Sequence, residues 1–335
     1  MTDLNLRDAT LPIYDNLLDT IGHTPLVRLA HLFPHKHYEL FGKLEAFNPG
    51  GSMKDRPAVS MLEAGLANGT VTSDSTLVES SSGNLAIGLA QACAVKRVKL
   101  IVVVDPKVTA ANLKILRAYG AQIDMVSTPD PQTGEFLAAR RQRVRDLLNT
   151  IPHAINLNQY ANPGNPAAHR TGTVHEILQT LENRLDYLFV SVSTCGTLRG
   201  AREAIEARGL KTRIIAVDAC GSVIFGKRGP RLLPGHGAGI IPEHMRPGLE
   251  DEALLISDAD CVAGCRELVR AEGILAGASS GGMIIALHNM QHRIAPQSRV
   301  AMILPDRGER YLDTVYDDNW CRSHFTEIPT FDADF

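Results

Sequence analysis

The chain has 335 residues, 44% of them hydrophobic, and a formal net charge of −3. That length supports more than one packed core, and the near-neutral balance gives no reason to expect nucleic-acid or membrane partners. No apolar run approaches the ~18 residues of a membrane span, residues 1–5 are too polar for a signal peptide, and six scattered cysteines read as reduced thiols of a cytoplasmic protein.

In chain order, residues 1–20 form an arm, 21–29 a turn entering a short strand, and 39–45 a second strand. Next comes the stretch Phe47-Asn48-Pro49-Gly50-Gly51-Ser52-Met53-Lys54-Asp55-Arg56. Gly50 and Gly51 permit a tight turn, and Pro57 is tolerated in the first turn of the helix that follows. Lys54 therefore stands at a strand-to-helix junction. The pattern repeats with a strand at 76–79, the polar turn Ser80-Ser81-Ser82-Gly83-Asn84 and an apolar helix at 85–95. The continuous apolar run 100–104 suits a parallel strand buried on both faces. A helix at 110–119, a strand at 122–126 and a basic amphipathic helix at 134–148 follow.

The turn cluster 161–166 marks a crossover. Beyond it the pattern predicts a helix at 169–181, a strand at 187–192, the turn 193–197, a helix at 198–207 and a strand at 213–218. Residues 221–250, rich in Gly and Pro, read as a long surface segment. A helix at 258–272, a turn at 277–282, a helix at 283–293, a strand at 300–304 and an aperiodic tail from Asp317 complete the chain. Strands alternating with helices predict a parallel α/β fold.

Four polar, Gly-rich turns, at 48–54, 80–84, 193–197 and 277–282, each open a helix. In open α/β sheets ligands gather at the carboxyl ends of strands, where such turns lie. The turn 193–197 suits an anion, because free N–H groups and the positive end of the helix dipole face it. No G-x-G-x-x-G follows a strand and no G-x-x-x-x-G-K-[ST] occurs, which argues against a dinucleotide or nucleoside triphosphate. Cys261 and Cys265 have helical spacing but no second Cys/His pair nearby, so no metal site is expected. A lysine, a phosphate cradle and no metal motif suggest pyridoxal phosphate.

The sequence resembles the fold-type II pyridoxal-phosphate enzymes, specifically the cysteine synthase and cystathionine β-synthase family, over about residues 12–318. The resemblance rests on Gly22-His23-Thr24-Pro25-Leu26, on 48–56, 79–84, 159–169 and 272–281, and on Leu304-Pro305-Asp306-Arg307-Gly308-Glu309-Arg310-Tyr311-Leu312. It implies a tryptophan synthase β-like fold, with two open parallel-sheet α/β domains and the cofactor in the cleft between them. The smaller, mobile domain would be 50–158, carrying Lys54 and the substrate loop. The larger would be 12–49 plus 159–317, carrying the phosphate loop, and 318–335 would be a tail. A homodimer is implied by the family alone.

By the same resemblance Lys54 forms the Schiff base and serves as catalytic base, for which its amine must be neutral. Asn84 would meet the cofactor's 3′ oxygen, and Ser193, Thr194, Cys195, Gly196 and Thr197 would hold its phosphate. Ser279 would face the pyridine nitrogen. Ser81, Ser82 and Gly83 would receive the substrate carboxylate, with Gln159 beside it.

Three departures bear on the substrate. Leu85 stands where cysteine synthases typically have Thr. The phosphate turn is Ser193-Thr194-Cys195-Gly196-Thr197 rather than Gly-Thr-Gly-Gly-Thr. Arg307 replaces the usual Ser. With the stretch 136–140 and Gln159-Tyr160, these resemble a branch that joins O-phospho-L-serine to L-glutamate. Its product is a 2,3-diaminopropionate precursor used for siderophores and passed to an oxidative enzyme. In that branch Arg140, Tyr160 and Ser193 would recognise phosphoserine, whose ester carries about −1.5 to −2 charge and suits a guanidinium fork. The small-molecule amino-acid partner is therefore phosphoserine on this reading. No motif selects glutamate over another amine. A cysteine synthase using sulfide with O-acetylserine or O-phosphoserine stays open, as does a non-catalytic cofactor-binding regulator. The stretch 221–250 and the tail stand as candidates to line the second-substrate site.

Overall fold

Runs of β-branched and aliphatic residues alternate with helices throughout the computed structural model, which describes residues 12–132 and 134–329. The strands are β1 (Leu26–Arg28), β2 (Glu39–Leu44), β3 (Thr76–Ser80), β4 (Lys99–Val104), β5 (Gln122–Met125), β6 (Ala154–Ile155), β7 (Tyr187–Ser191), β8 (Arg213–Ala219), β9 (Glu252–Ile256) and β10 (Arg299–Leu304). They form a six-stranded sheet in the order β1-β2-β10-β7-β8-β9 and a four-stranded sheet in the order β5-β4-β3-β6. Every pairing is parallel except the edge pair β1–β2. The connecting helices are α1 (Asp55–Ala67), α2 (Asn84–Lys96), α3 (Ala110–Ala118), α4 (Phe136–Thr150), α5 (Gly164–Ala168), α6 (Val174–Thr180), α7 (Gly196–Glu206), α8 (Asp258–Glu272), α9 (Ala278–Met290) and α10 (Asp318–His324).

The two-residue period of the central strands sorts their side chains between opposite cores. Phe189 of β7, Val217 of β8 and Met302 of β10 pack with Met283 and Leu287 of α9. Their neighbours Val190, Ala216 and Ala301 pack with Ile177 of α6 and Leu198 of α7 on the other face. The smaller sheet does the same: Leu77, Leu100 and Val102 face α1 and α2, whereas Val78, Ile101 and Val103 face Val144 and Leu147 of α4. Burial on both faces is why these strands read as continuous apolar runs.

Several boundaries differ from expectation. The expected turn at 277–282 is helix from Ala278 onward, because α8 and α9 pack backbone to backbone: a Cβ on Gly264 would strike Gly281, and one on Gly281 would strike Cys261. Those glycines serve close approach, not a turn. The helix expected at 169–181 is interrupted by a π-turn, His169–Thr173, between α5 and α6. Strand β9 was hidden by its Glu and Leu content, which lacks a β signature. The stretch 221–250 is irregular but is not a surface segment, since Ile224, Leu233, His236 and Ala238 are buried. The tail contains the short helix α10, capped by Asp317. Residues 1–11 of the expected arm and residues 330–335 of the tail lie outside the described residues.

A buried cluster of four charges anchors the lysine loop. Arg56 of α1 donates from Nε and Nη2 to both carboxylate oxygens of Glu45, at 2.7 and 2.8 Å, and from Nη1 to Glu176 Oε1 at 2.6 Å. Lys43 of β2 donates to Glu176 Oε2 at 2.6 Å and to the Thr24 carbonyl at 2.5 Å. Two cations and two anions leave no net charge on the cluster. Burial alone would raise the Glu176 pKa, but Arg56 and Lys43 hold it down to about 2. Replacing Arg56 with Met strands Glu45 and Glu176 with one cation. It is expected to lower unfolding stability by about 3–5 kcal/mol, the usual cost of breaking a buried pair. Urea denaturation checks this, and a loss under about 1 kcal/mol, typical of a surface pair, would contradict it.

Candidate functional site

The turns at the carboxyl ends of β2, β3, β4, β7, β8 and β10 converge on one cavity of about 690 Å³. Lys54 is the residue before α1, half-buried on the cavity wall. The loop that presents it is pinned from two sides. Met53 N–H donates to the Pro305 carbonyl at 2.7 Å, and Arg307 N–H donates to the Gly51 carbonyl at 3.2 Å. Gly51 has φ +82°, and a Cβ there would overlap the Arg307 side chain, so only glycine fits. Burial lowers the Lys54 pKa to about 8, with Asp306 and Cys195 opposing.

Asn84 opens α2 and joins a second network. Its Nδ2 donates to Asp306 Oδ2 at 2.7 Å, and its Oδ1 accepts from Arg310, which also donates to the Gly50 carbonyl. Tyr311 Oη donates to the same Asp306 oxygen at 2.8 Å. Asp306 is buried, which raises its pKa, and its other oxygen has no partner among the described residues. Ser81, Ser82 and Gly83 lead into α2 along the cavity, and Leu85 follows with its side chain buried.

The phosphate turn runs from the end of β7 to α7. Thr194 Oγ1 accepts from Asn165 Nδ2 at 3.1 Å and from Gly196 N–H at 3.4 Å, and the backbone N–H groups that follow Gly196 in the first turn of α7 are available to an anion at the positive end of the helix. Cys195, which stands where the family typically has glycine, adopts φ +58°. A buried non-glycine residue in this left-handed region stores about 1–3 kcal/mol of strain. Ser193, Thr194, Cys195 and Thr197 line the cavity. Gly196 lies behind them against Asn165. Ser279, in the first turn of α9, reaches the cavity from the opposite side.

Arg140, Gln159 and Tyr160 line the same cavity. Arg140 Nε lies 3.2 Å from Asp105 Oδ2, an ion pair at the cavity wall. Burial raises the Tyr160 pKa, with Glu79 adding to the effect and Arg140, Arg231 and Arg141 opposing it, so the phenol is a neutral hydrogen-bond donor at physiological pH. Gln159 is held through its carbonyl, which accepts from Asn165 Nδ2 at 2.8 Å and lies 3.1 Å from His244 Nε2. Arg307 is not at the cavity. Its Nη2 donates to the Ala46 carbonyl at 3.0 Å, so this departure braces the lysine loop and does not touch a substrate. Apart from Gly196, every expected site residue is therefore brought to one cavity. Asp105, Asp306 and Arg310 went without assigned roles, although Asp306 and Arg310 sit inside a motif that carried the resemblance. Arg228 and Arg231, within 221–250, carried no sequence signal.

The cavity fits pyridoxal phosphate. It combines a lysine with a lowered pKa, an anion-binding helix start, a buried serine hydroxyl and an amide whose Nδ2 keeps a second N–H beyond the one given to Asp306. The profile of the family described as pyridoxal-phosphate dependent enzyme matches residues 17–306. The chain is 46% identical over 309 residues to N-(2-amino-2-carboxyethyl)-L-glutamate synthase of Ralstonia nicotianae, covering 92% of this chain and 91% of that one. Among solved structures it is similar to an O-acetylserine dependent cystathionine β-synthase from Helicobacter pylori, with a TM-score of 0.84 and 30% identity over 91% of this chain and 99% of that one. It is also similar to O-acetyl serine sulfhydrylase isoform 3 from Entamoeba histolytica, with a TM-score of 0.84 and 31% identity over 92% and 94% of the two chains. A matched family profile over most of the chain, and a cavity whose lysine, anion cradle and hydroxyl meet that family's cofactor, make this protein a member of the pyridoxal-phosphate dependent enzyme family.

Proposed function

We propose that the protein catalyses β-replacement on O-phospho-L-serine with L-glutamate, giving N-(2-amino-2-carboxyethyl)-L-glutamate and phosphate. The observation that carries this reading is the meeting of Arg140, Tyr160 and Ser193 on the Lys54 cavity in a chain 46% identical to a synthase of that name. A phosphate ester carries about −1.5 to −2 charge and needs a cation and neutral donors. Arg140 supplies the first, and Tyr160 and Ser193 the second. O-Acetylserine carries a neutral ester and releases only a monoanion, so it makes less use of this set.

Pyridoxal phosphate, when bound through Lys54, supplies a ring that stabilises negative charge at the substrate Cα. The chain's own residues do the rest. Ser193–Thr197 and the start of α7 bind the cofactor phosphate, and Ser279 and Asn84 orient the ring. Ser81, Ser82 and Gly83, with the open N–H groups at the start of α2, receive the substrate carboxylate. Lys54 Nζ removes the Cα proton and later returns one. Arg140, Tyr160 and Ser193 stabilise the phosphate as the Cβ–O bond breaks and oxygen takes the electron pair. The glutamate amine forms the new bond at Cβ and releases its proton. Residues 50–158 act as the smaller domain, with 12–49 and 159–317 as the larger. Closure of the smaller one excludes water that would otherwise divert the substrate.

The product leads toward 2,3-diaminopropionate and siderophores through a downstream oxidative enzyme. Exposed Ile13, Tyr14, Leu17, Val27 and Phe47, all early in the chain, support a homodimer. No helix among the described residues is long and apolar enough to cross a membrane, in keeping with the cytoplasmic location we assign.

Mass spectrometry of products from phosphoserine with glutamate, or with sulfide, tests the reaction. A glutamate adduct is expected, and rapid cysteine formation without an adduct would favour a sulfhydrylase. No change in cofactor absorbance on adding phosphoserine would favour a non-catalytic regulator. Arg140→Ala removes a charge-assisted contact and is expected to raise KM for phosphoserine about ten- to a hundred-fold, read from initial rates. Unchanged affinity would remove that role. Attachment of pyridoxal phosphate to the stripped protein needs an unprotonated Lys54, and its pKa is lowered from 10.5 to about 8. The attachment rate should therefore rise with pH and level off just above that lowered value. A rate still climbing through the ordinary lysine value would contradict the burial effect.

A further inference from the structure

Five cationic side chains line the cavity: Lys54, Lys107, Arg140, Arg228 and Arg231. Lys54 serves the cofactor and the moving proton, and Arg140 is paired with Asp105 at the phosphate position. Lys107 is exposed and lies over the Phe136 ring, 6.0 Å from its centroid. Arg228 spans the mouth, donating to Glu135 Oε1 at 2.9 Å and to the Gly239 carbonyl at 2.8 Å. Arg231 differs from all of these. It is half-buried, its Nη1 donates only to the His236 carbonyl at 3.3 Å, and no carboxylate among the described residues lies within ion-pairing distance.

Two acidic groups that feel the Arg231 charge are already committed. Asp258 Oδ2 accepts from Leu232 N–H at 2.7 Å, and Asp218 accepts from Ala219 N–H at 2.9 Å and Phe225 N–H at 3.1 Å. They fix the backbone around Arg231 without neutralising its side chain by contact. Buried Ser222 stiffens the same segment, its Oγ accepting from Ala238 N–H at 3.0 Å and Ile224 N–H at 3.3 Å. The guanidinium is thus held in place before any ligand arrives, which reduces the entropy cost of binding. Arg231 lines the same cavity as Tyr160 and Arg140, and Tyr160 feels the charges of Arg140, Arg231 and Arg141. An incoming nucleophile must reach the carbon that the phosphate leaves, so it must occupy this same cavity.

We infer that Arg231 binds a carboxylate of the amino-acid nucleophile and thereby selects L-glutamate over sulfide and neutral amines. The assignment rests on the glutamate-adding reaction proposed above. Sulfide has no carboxylate to offer, so an unpaired, preorganised guanidinium would be a cost without return in a sulfhydrylase.

The test uses cofactor-loaded wild type, Arg231→Gln and Arg231→Lys, with phosphoserine and glutamate varied independently. In the glutamine variant KM for L-glutamate is expected to rise about tenfold or more, from loss of a charged hydrogen bond, while KM for phosphoserine moves by less than about threefold. The lysine variant should fall between, since it keeps a cation and a donor for His236. It also reports if the glutamine variant fails to fold. The preference for L-glutamate over an amine without a carboxylate, such as propylamine, should shrink in the same order. A rise in KM for phosphoserine instead would put Arg231 in the phosphate site and overturn the inference. Unchanged KM for both substrates would overturn it as well. Wild type that forms cysteine but no glutamate adduct would overturn the reaction itself, an outcome separate from either variant result, and the inference with it.

Discussion

The four-charge cluster of Lys43, Glu45, Arg56 and Glu176 is the constraint on which the rest of the site depends. Buried charges are tolerable only when paired with good geometry. Each member therefore restricts the element that carries it: β2, the 3-10 turn after β2, α1 and α6. Together they leave the loop between β2 and α1 a single path across the interior. Thr24 and Asn48 fill the remaining valences on Glu45, and Asn48 Oδ1 accepts the Gly22 N–H at 2.9 Å. The position of Lys54 follows from this frame, because it is separated from Arg56 by one residue.

A second network translates that position into chemistry. Asp306 and Lys54 share a low-dielectric pocket that disfavours charge on each, so burial moves their pKa values toward one another while their mutual attraction opposes this. Asn84, Tyr311 and Arg310 tie Asp306 and the lysine loop to the start of α2. The turn before α2 in one sheet is thus coupled to the lysine loop through residues that follow the last strand of the other.

The elements that receive cofactor differ in kind from those that distinguish substrates. The cofactor side is built from helix starts and strand-end turns, where backbone N–H groups and helix dipoles are available whatever the side chains. That explains how Cys195 can replace glycine in the phosphate turn and still leave an anion cradle. On the proposed reaction, the substrate side would be built from side chains on α4, on the loop after β6 and on the segment after β8, all of which line the cavity. Solved structures about 30% identical share the fold at a TM-score of 0.84 while carrying names of other reactions, which is what such a division predicts.

Much of the architecture was legible because parallel strands buried on both faces leave continuous apolar runs, and polar, Gly-rich turns mark where helices begin. Strand β9 was not, since Glu252 and the mixed burial of its leucines give no two-residue period. The glycines at 281 and 282 misled in the opposite direction: their small size reads as a turn but serves the contact between α8 and α9. The lysine and the phosphate turn stood out in the sequence because a Gly-rich turn before a helix is a local pattern, whereas Arg140 was singled out only through the family resemblance. Only the tertiary structure decided that Arg307 braces the lysine loop, that Asp306 and Arg310 bind Asn84, and that Arg231 lies in the cavity without a carboxylate partner. Those facts concern residues far apart in the chain, whose distances are set by packing and by which buried charges find partners. No local pattern encodes them.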